Sequence, residues 1–296
     1  MPKNKKIILV TGGAGFIGSN LIEKLLKSKN NKVISLDNYF SGSTKNHIPG
    51  AIYRRGHTKD IAKYIKERPD IIYHLGEYSR VAASLDEPKL VWDLNVAGTF
   101  AVLEFWRKHK CKLVYAGSST KFNPQNAQGI EGRDLAPYTW SKAINTELVK
   151  NYATWYGLKY ATVYFYNVYG PRERAGQFDG AYGTIIETIK QSYLKNETCL
   201  IRKPGTQTRA FTHVADTVDG IILAGQYGQG DDYGISAKET YSLLEVAKMF
   251  GCLIKMAPAT KTSRSAKAFD SAKIKKLGWK QQYTLKSYIA EIKKQK

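Results

Sequence analysis

Apolar residues in the first 165 positions fall into two alternating patterns. Short continuous runs rich in β-branched and aliphatic residues stand at 7–10 (IILV), 32–36 (KVISL), 70–75 (DIIYHL), 112–116 (KLVYA) and 159–165 (KYATVYF). Between them lie stretches with apolar residues three or four apart. In 16–28, for example, Phe16, Ile17, Leu21, Leu25 and Leu26 share one helical face. Similar helical patterns cover about 59–66, about 86–109 and 138–156. Continuous apolar strands alternating with helices predict an α/β fold, a doubly wound parallel sheet covered on both sides.

The rhythm changes after about residue 168. Glycine-rich polar loops surround a helix at 184–196 and a strand, CLIRK. QTRAFTHVADTVDGIILA then reads as a short strand and a helix returning to the first unit, and further helices are predicted near 242–250 and 285–294. The expected division is a first domain of 1–167, rejoined by about 211–235, and a smaller substrate-binding α/β domain of 168–210 and 236–296. Open α/β sheets take ligands at their C-terminal edge, where these insertions fall.

The turn after the first strand carries the first sign of chemistry. In TGGAGFIG, Gly12, Gly15 and Gly18 provide a tight turn, close backbone approach to a pyrophosphate and close helix packing, and Phe16 and Ile17 open the helix. Asp37, followed by Asn38, ends the second strand about 20 residues on. A carboxylate there accepts the ribose 2′-hydroxyl of NAD and repels the 2′-phosphate of NADP, so NAD is the expected cofactor. Downstream, PYTWSK puts Tyr138 and Lys142 four apart on one face of a helix start. A tyrosine ordinarily titrates near pH ~10 and is a poor base at neutrality; a neighbouring ammonium favours the phenolate.

With these motifs in view the chain resembles the extended short-chain dehydrogenase/reductases (SDRs), Rossmann-fold proteins, within their NAD-dependent nucleotide-sugar epimerase/dehydratase group. Segments carrying the resemblance run nearly end to end: TGGAGFIGSN (11–20), LDNYFSG (36–42), HLGEYSRVAAS (74–84), NVAGTFAVLE (95–104), VYAGSS (114–119), PYTWSK (137–142), YNVYGPRE (166–173), QTRAF (207–211) and LGW (277–279). The resemblance implies Tyr138 as proton-transferring base and Lys142 as its activator and holder of the nicotinamide ribose. Ser118 matches the hydroxyl that bonds the sugar oxygen, with Ser119 as its neighbour should the register slip. Leu75, Gly76 and Asn95 match residues beside the cofactor. Asn167 matches the sugar and nicotinamide pocket, and Arg209 a cation for the nucleotide diphosphate. Arg264 is either a second such cation or a surface arginine. The group also implies a UDP-sugar or other nucleotide-sugar substrate and a homodimer formed through 86–109 and 138–156.

Some letters depart from the group. His57-Thr58 stands where Asp-Ile or Asp-Leu usually meets adenine, with Asp60 a substitute, and Ala210 replaces an aspartate beside Arg209. Glu77 and Arg80 fall at the expected active-site rim, either as substrate contacts or as an internal pair. A 4,6-dehydratase of this group commonly follows its strand-end hydroxyl with Asp-Glu or Asp-Lys, to move the C5 proton and the C6 hydroxyl. Here the run is Ser118-Ser119-Thr120-Lys121, without a carboxylate, which favours a 4-epimerase. A dehydratase or ketoreductase is the alternative, and a catalytically silent or nucleic-acid-binding relative is a more distant one.

Charge adds one qualification. The chain of 296 residues carries 46 Lys+Arg against 25 Asp+Glu, a net charge of +21. Residues 251–296 hold 12 of the basic and 2 of the acidic residues, so +10 of the total sits there. These lysines are scattered over helix-like segments rather than interleaved with aromatics, so they predict a solvated surface and not a nucleic-acid footprint. No run approaches the ~20 apolar residues of a membrane span. MPKNKK leads straight into the first strand without a signal-peptide pattern, and Cys111, Cys199 and Cys252 form no metal spacing. A reducing cytoplasm is the expected setting.

Overall fold

The computed structural model describes residues 5–119, 132–174, 183–258 and 270–296. Six strands of the main sheet follow in chain order: β1 (Lys6–Thr11), β2 (Asn31–Asp37), β3 (Ile52–Arg55), β4 (Ile71–His74), β5 (Lys112–Ala116) and β6 (Tyr160–Phe165). Short strands β7 (Val168–Tyr169), β8 (Cys199–Arg202), β9 (Thr208–Ala210) and β10 (Thr212–His213) precede β11 (Gly230–Ile235), the seventh strand of that sheet. β12 (Thr240–Ser242) and β13 (Ile254–Ala257) complete the set. The order across the main sheet is β11-β6-β5-β4-β1-β2-β3, with all pairings parallel.

Strand order reverses between β1 and β4, so a crevice opens where Thr11 and His74 lie side by side in the register. Burial explains the sequence pattern: Leu9, Val10, Ile34, Ile72, Leu113 and Val114 are wholly buried because helices cover both faces of their sheet. The sequence reading missed β3 and β11. IYRR and GDDYGI carry too few apolar residues for a central strand, and both occupy sheet edges.

The helices are α1 (Phe16–Leu26), α2 (Ile61–Tyr64), α3 (Pro88–Val91), α4 (Gly98–His109), α5 (Pro137–Tyr156), α6 (Ile185–Leu194), α7 (Val214–Tyr227), α8 (Leu243–Phe250), α9 (Ala272–Lys276) and α10 (Leu285–Gln295). The predicted helix over 86–109 is composite: α3 and α4 are joined by a π-helical segment, Trp92–Ala97. α1 and α7 pack together on one sheet face, in a core that also takes Ile274 and Trp279 from the C-terminal region. α4 and α5 cover the other face around Val102, Trp106 and Tyr152. A separate core unites Ile186, Ile201, Phe211, Val246, Phe250 and Ile289, beyond the strand ends. Among the described residues, no helix is long and apolar enough to cross a membrane.

Candidate active site

A cleft of about 1380 Å³ runs along the C-terminal edge of the main sheet, between it and the separate core. That exceeds the ~300–1,000 Å³ of ordinary small-ligand pockets and leaves room for two extended ligands. Gly12, Gly15, Phe16, Ile17, Gly18, Asp37, Asn38, Leu75, Gly76, Ser118, Ser119, Tyr138, Lys142, Asn167 and Arg209 all line it. Asn95 does not. It is fully buried in the π-helical segment, accepting from Tyr78 N at 2.6 Å and donating to Ser141 Oγ at 3.0 Å, so it braces a lining residue from behind. Arg264, Thr120 and Lys121 lie outside the described residues.

The glycine turn fits a dinucleotide for local reasons. Gly12 has φ +73°, and a Cβ there would come within 2.8 Å of Gly76 Cα, so only glycine allows β1 and β4 to end so close together. A Cβ at Gly15 would meet only the Gly12 carbonyl oxygen, at 3.2 Å, leaving open space beside the α1 N-terminus. Asp37 accepts from Ala14 N at 2.9 Å and from Tyr39 N at 2.7 Å. Burial pushes its carboxyl upward, partly offset by these bonds. No arginine follows Asp37 closely in sequence, but the sheet register sets Arg55 of β3 opposite it, with the guanidinium 5.5 Å from the Tyr39 ring centroid.

The adenine end is shared out differently from expectation. Gly56 and Thr58 line the cleft, whereas Asp60 does not. The His57 ring accepts from Lys59 N at 3.0 Å and faces Asp93 at 3.1 Å, away from a ligand-binding role.

Toward the middle of the cleft, Ser118 is buried just past the end of β5, and Tyr138 stands at the first turn of α5 beside Tyr78, Val91 and Leu94. Lys142, one turn later, is 5% exposed; it donates to Glu77 and to the Ala116 carbonyl, and lies 4.6 Å from the Tyr115 ring centroid. An ammonium has three N–H donors, so one remains for the cleft that Lys142 lines.

Glu77 is therefore not the rim residue that its neighbour Arg80 suggested. Its side chain is 3% exposed and turned inward to Lys142. Burial disfavours its charge, but the Lys142 ammonium and hydrogen bonds from Lys142 and Thr99 outweigh that, and the carboxyl titrates below its ordinary range. The local segment after Ser118 thus hid a carboxylate delivered from a different strand end. HLGEYS marked the position, but not the direction of its side chain.

On the far wall, Arg209 sits in β9, held by antiparallel pairing with Tyr241 of β12. Asn167, in the left-handed region at φ +39°, donates to the Ala210 carbonyl at 3.0 Å and ties that wall to the main sheet. Two further lining groups escaped sequence reasoning. Gln207 is 8% exposed with its Oε1 unpartnered, an acceptor left for a ligand. The Glu173 carboxyl accepts from Gly170 N at 2.7 Å and Thr184 Oγ1 at 2.5 Å, and burial pushes it up to about 7. Both fall in stretches marked for their motifs, QTRAF and YNVYGPRE, yet neither residue type pointed to a role.

Comparison with known proteins matches this geometry. Residues 8–236 match the NAD dependent epimerase/dehydratase family. A putative UDP-glucose 4-epimerase of Methanocaldococcus jannaschii is 34% identical over 227 residues, 74% of this chain and 73% of that protein. A UDP-N-acetyl-alpha-D-glucosaminuronate decarboxylase of Bacillus cytotoxicus is 29% identical over 262 residues, 82% of this chain and 79% of its own. Among solved structures, the UDP-glucose 4-epimerase of Thermotoga maritima with UDP-glucose superposes with a TM-score of 0.84 at 25% identity, covering 98% of this chain and 99% of that one. These relatives differ in reaction by name, and the chain belongs to the NAD-dependent epimerase/dehydratase family, with NAD as its cofactor.

Proposed function

We propose that the protein is a nucleotide-sugar 4-epimerase acting on a UDP-hexose or other NDP-hexose through a transient 4-keto sugar. The observation that carries this reading is the meeting of Ser118, Tyr138 and Lys142 in one cleft, where the carboxylate beside Lys142, Glu77, is already engaged by it. Ser118 orients the sugar hydroxyl, and Tyr138 takes its proton and later returns it. Lys142 holds positive charge beside the phenolate that forms. When bound, NAD supplies the acceptor, and then the donor, of the hydrogen and two electrons exchanged with the sugar carbon. Its redox state is unchanged over the cycle, so an epimerase needs no second substrate. Dehydration would also need an acid and a base for C6 and C5, and among the described lining carboxylates Glu77 is engaged by Lys142 and Glu173 by Gly170 N and Thr184 Oγ1.

Gly12, Gly15, Gly18 and Asp37 bind the dinucleotide in this reading, and Asn167 and Arg209 bind the sugar and its diphosphate. Gln207 offers a further acceptor on the same wall. The separate core carrying Arg209 acts as the substrate-binding part. A second copy of the chain packs on α4, α5 and the π-helical segment before α4: Trp92, Phe100 and Trp140 are 56%, 51% and 38% exposed, and the rings of Trp92 and Trp140 stack 6.1 Å apart. The free cysteines suit a cytoplasmic enzyme.

The test is to incubate the purified protein with UDP-glucose, UDP-N-acetylglucosamine, GDP-mannose and UDP-glucuronic acid and identify the products. Epimers formed without net NAD reduction support the reading. A 4-keto-6-deoxy sugar, or carbon dioxide and a UDP-pentose, would replace it with dehydration or decarboxylation.

A further inference from the structure

We propose that Glu77 is a positioning residue for Lys142, a buried carboxylate that fixes the ammonium at the cleft floor and links it to the glycine turn. The inference rests on the assignment of Lys142 and Tyr138 made above.

Hydrogen-bond directions carry the argument. Gly76 N donates to Thr11 Oγ1 at 3.0 Å, and Leu75 N is shared between Thr11 Oγ1 and the Thr11 carbonyl, both at 3.2 Å. With these donors on its oxygen, the Thr11 hydroxyl directs its proton to His74 Nδ1, 2.7 Å away. His74 accordingly carries its proton on Nε2 and donates to Thr99 Oγ1 at 2.9 Å, which leaves the Thr99 hydroxyl to donate to Glu77 Oε1 at 2.9 Å. Tyr115 Oη and Asn145 Nδ2 also donate to Oε1, at 3.1 and 2.9 Å, while Oε2 takes Lys142. This assignment gives every member from Thr11 to Lys142 a partner for each proton it donates. It begins at the residue before Gly12 and ends at the ammonium behind the Ser118 strand end.

The titratable groups facing the pair are His74 from β4, Tyr115 from β5 and Tyr138 from α5. Thr99 of α4 and Asn145 of α5 are neutral. His74 is wholly buried and titrates near 4, and burial followed by Glu77 pushes the Tyr115 hydroxyl well up, so both stay uncharged at neutral pH. Among the described residues, Glu77 alone pairs with the ammonium. A buried ion pair adds little net stability over an apolar pair of similar volume, so stability by itself is a weak reason for this arrangement. Holding a charged lysine in one place is a stronger one.

The test is the pH dependence of kcat/KM for nucleotide-sugar turnover in the holoenzyme with Glu77→Gln. Without its counter-charge the buried ammonium loses its proton at lower pH, so the alkaline limb should move down by about one pH unit or more, with about tenfold lower turnover above it. A role limited to folding would lower activity equally at all pH values and leave the limb in place, overturning the proposal. If Glu77→Gln does not fold, Glu77→Asp keeps the charge but draws the carboxylate back from Lys142. A smaller shift in the same direction supports the proposal, and an unshifted profile overturns it. A melting-temperature cycle separates this proposal from the enzymatic reading, because it needs no turnover. Glu77→Gln should lower the melting temperature by about 5 °C or more, and adding Lys142→Met should restore most of it. That result in a protein inert toward every nucleotide sugar supports the fixation of Lys142 and sinks the epimerase reading instead. Independent, additive losses overturn the fixation itself.

Discussion

The Asp37 carboxylate accepts the backbone N–H of Ala14 at 2.9 Å, so the end of β2 is tied to the glycine turn proposed to hold the cofactor. The carboxylate is thereby held at a set point on the cleft wall while its remaining lone pairs stay available to a ribose. Asp37→Ser should weaken NAD binding by about 10–100-fold, the loss expected for a hydrogen bond to a charged acceptor. It should also raise NADP affinity, because Arg55 lies opposite in the register. Calorimetric titration of cofactor-free protein with each dinucleotide measures both, and unchanged NAD affinity would count against the assignment of Asp37.

Tyr138→Phe removes the proposed base and leaves the ring packed beside Tyr78 and Leu94. Turnover should fall by about 10²–10⁴-fold with NAD still retained. Ser118→Ala should cost less, about 10–100-fold, since it removes one orienting hydrogen bond. Steady-state rates together with the absorbance of bound cofactor separate lost chemistry from lost binding. A Tyr138→Phe enzyme within about threefold of the parent would end the proposed mechanism.

Stability should decline on the acid side. Burial holds His74 and His213 near 4 in the folded chain, below the 6.5 of an ordinary imidazole. The unfolded chain therefore binds more protons between about 6.5 and about 4, and stability falls as pH drops through that window. Glu173 acts oppositely: its carboxyl is raised from 4.5 to about 7, so stability falls as pH rises between those values. Two imidazoles oppose one carboxyl, and the melting temperature should decrease from pH 6.5 to pH 4.5. Glu173→Gln should steepen that decrease, and a shallower slope in the variant would contradict the assignment.

The exposed aromatic face of α4, α5 and the π-helical segment makes a separate prediction. Phe100→Glu and Trp92→Glu place charges in the proposed contact between copies, and each should convert a dimer to a monomer in sedimentation analysis. Helical content should be unchanged, because both side chains are more than half exposed in the single chain. A parent chain that is monomeric at micromolar concentration would rule out this interface.

Local patterns determined much of this protein. The strands at 7–10, 32–36, 112–116 and 159–165 show in the sequence because burial on both faces demands continuous apolar residues. The glycine turn, Asp37 and the Tyr138–Lys142 spacing are equally visible, since each needs particular residue types at short separations. The long helices 16–28 and 138–156 end within two residues of expectation, where Gly157 at φ +62° closes the second. Edge strands β3 and β11 were not visible, because half-exposed edges impose no apolar run. The partner of Lys142 was invisible for a different reason. Glu77 lies 65 residues away, and a carboxylate in HLGEYS reads the same whether it faces solvent or the interior. Only the parallel register, which sets the ends of β4 and β5 side by side against α5, brings Glu77, Thr99, Tyr115, Asn145 and Lys142 together. Asn95 moved from the cofactor to a brace behind Tyr78 through a similar tertiary cause, the π-helical segment that carries it.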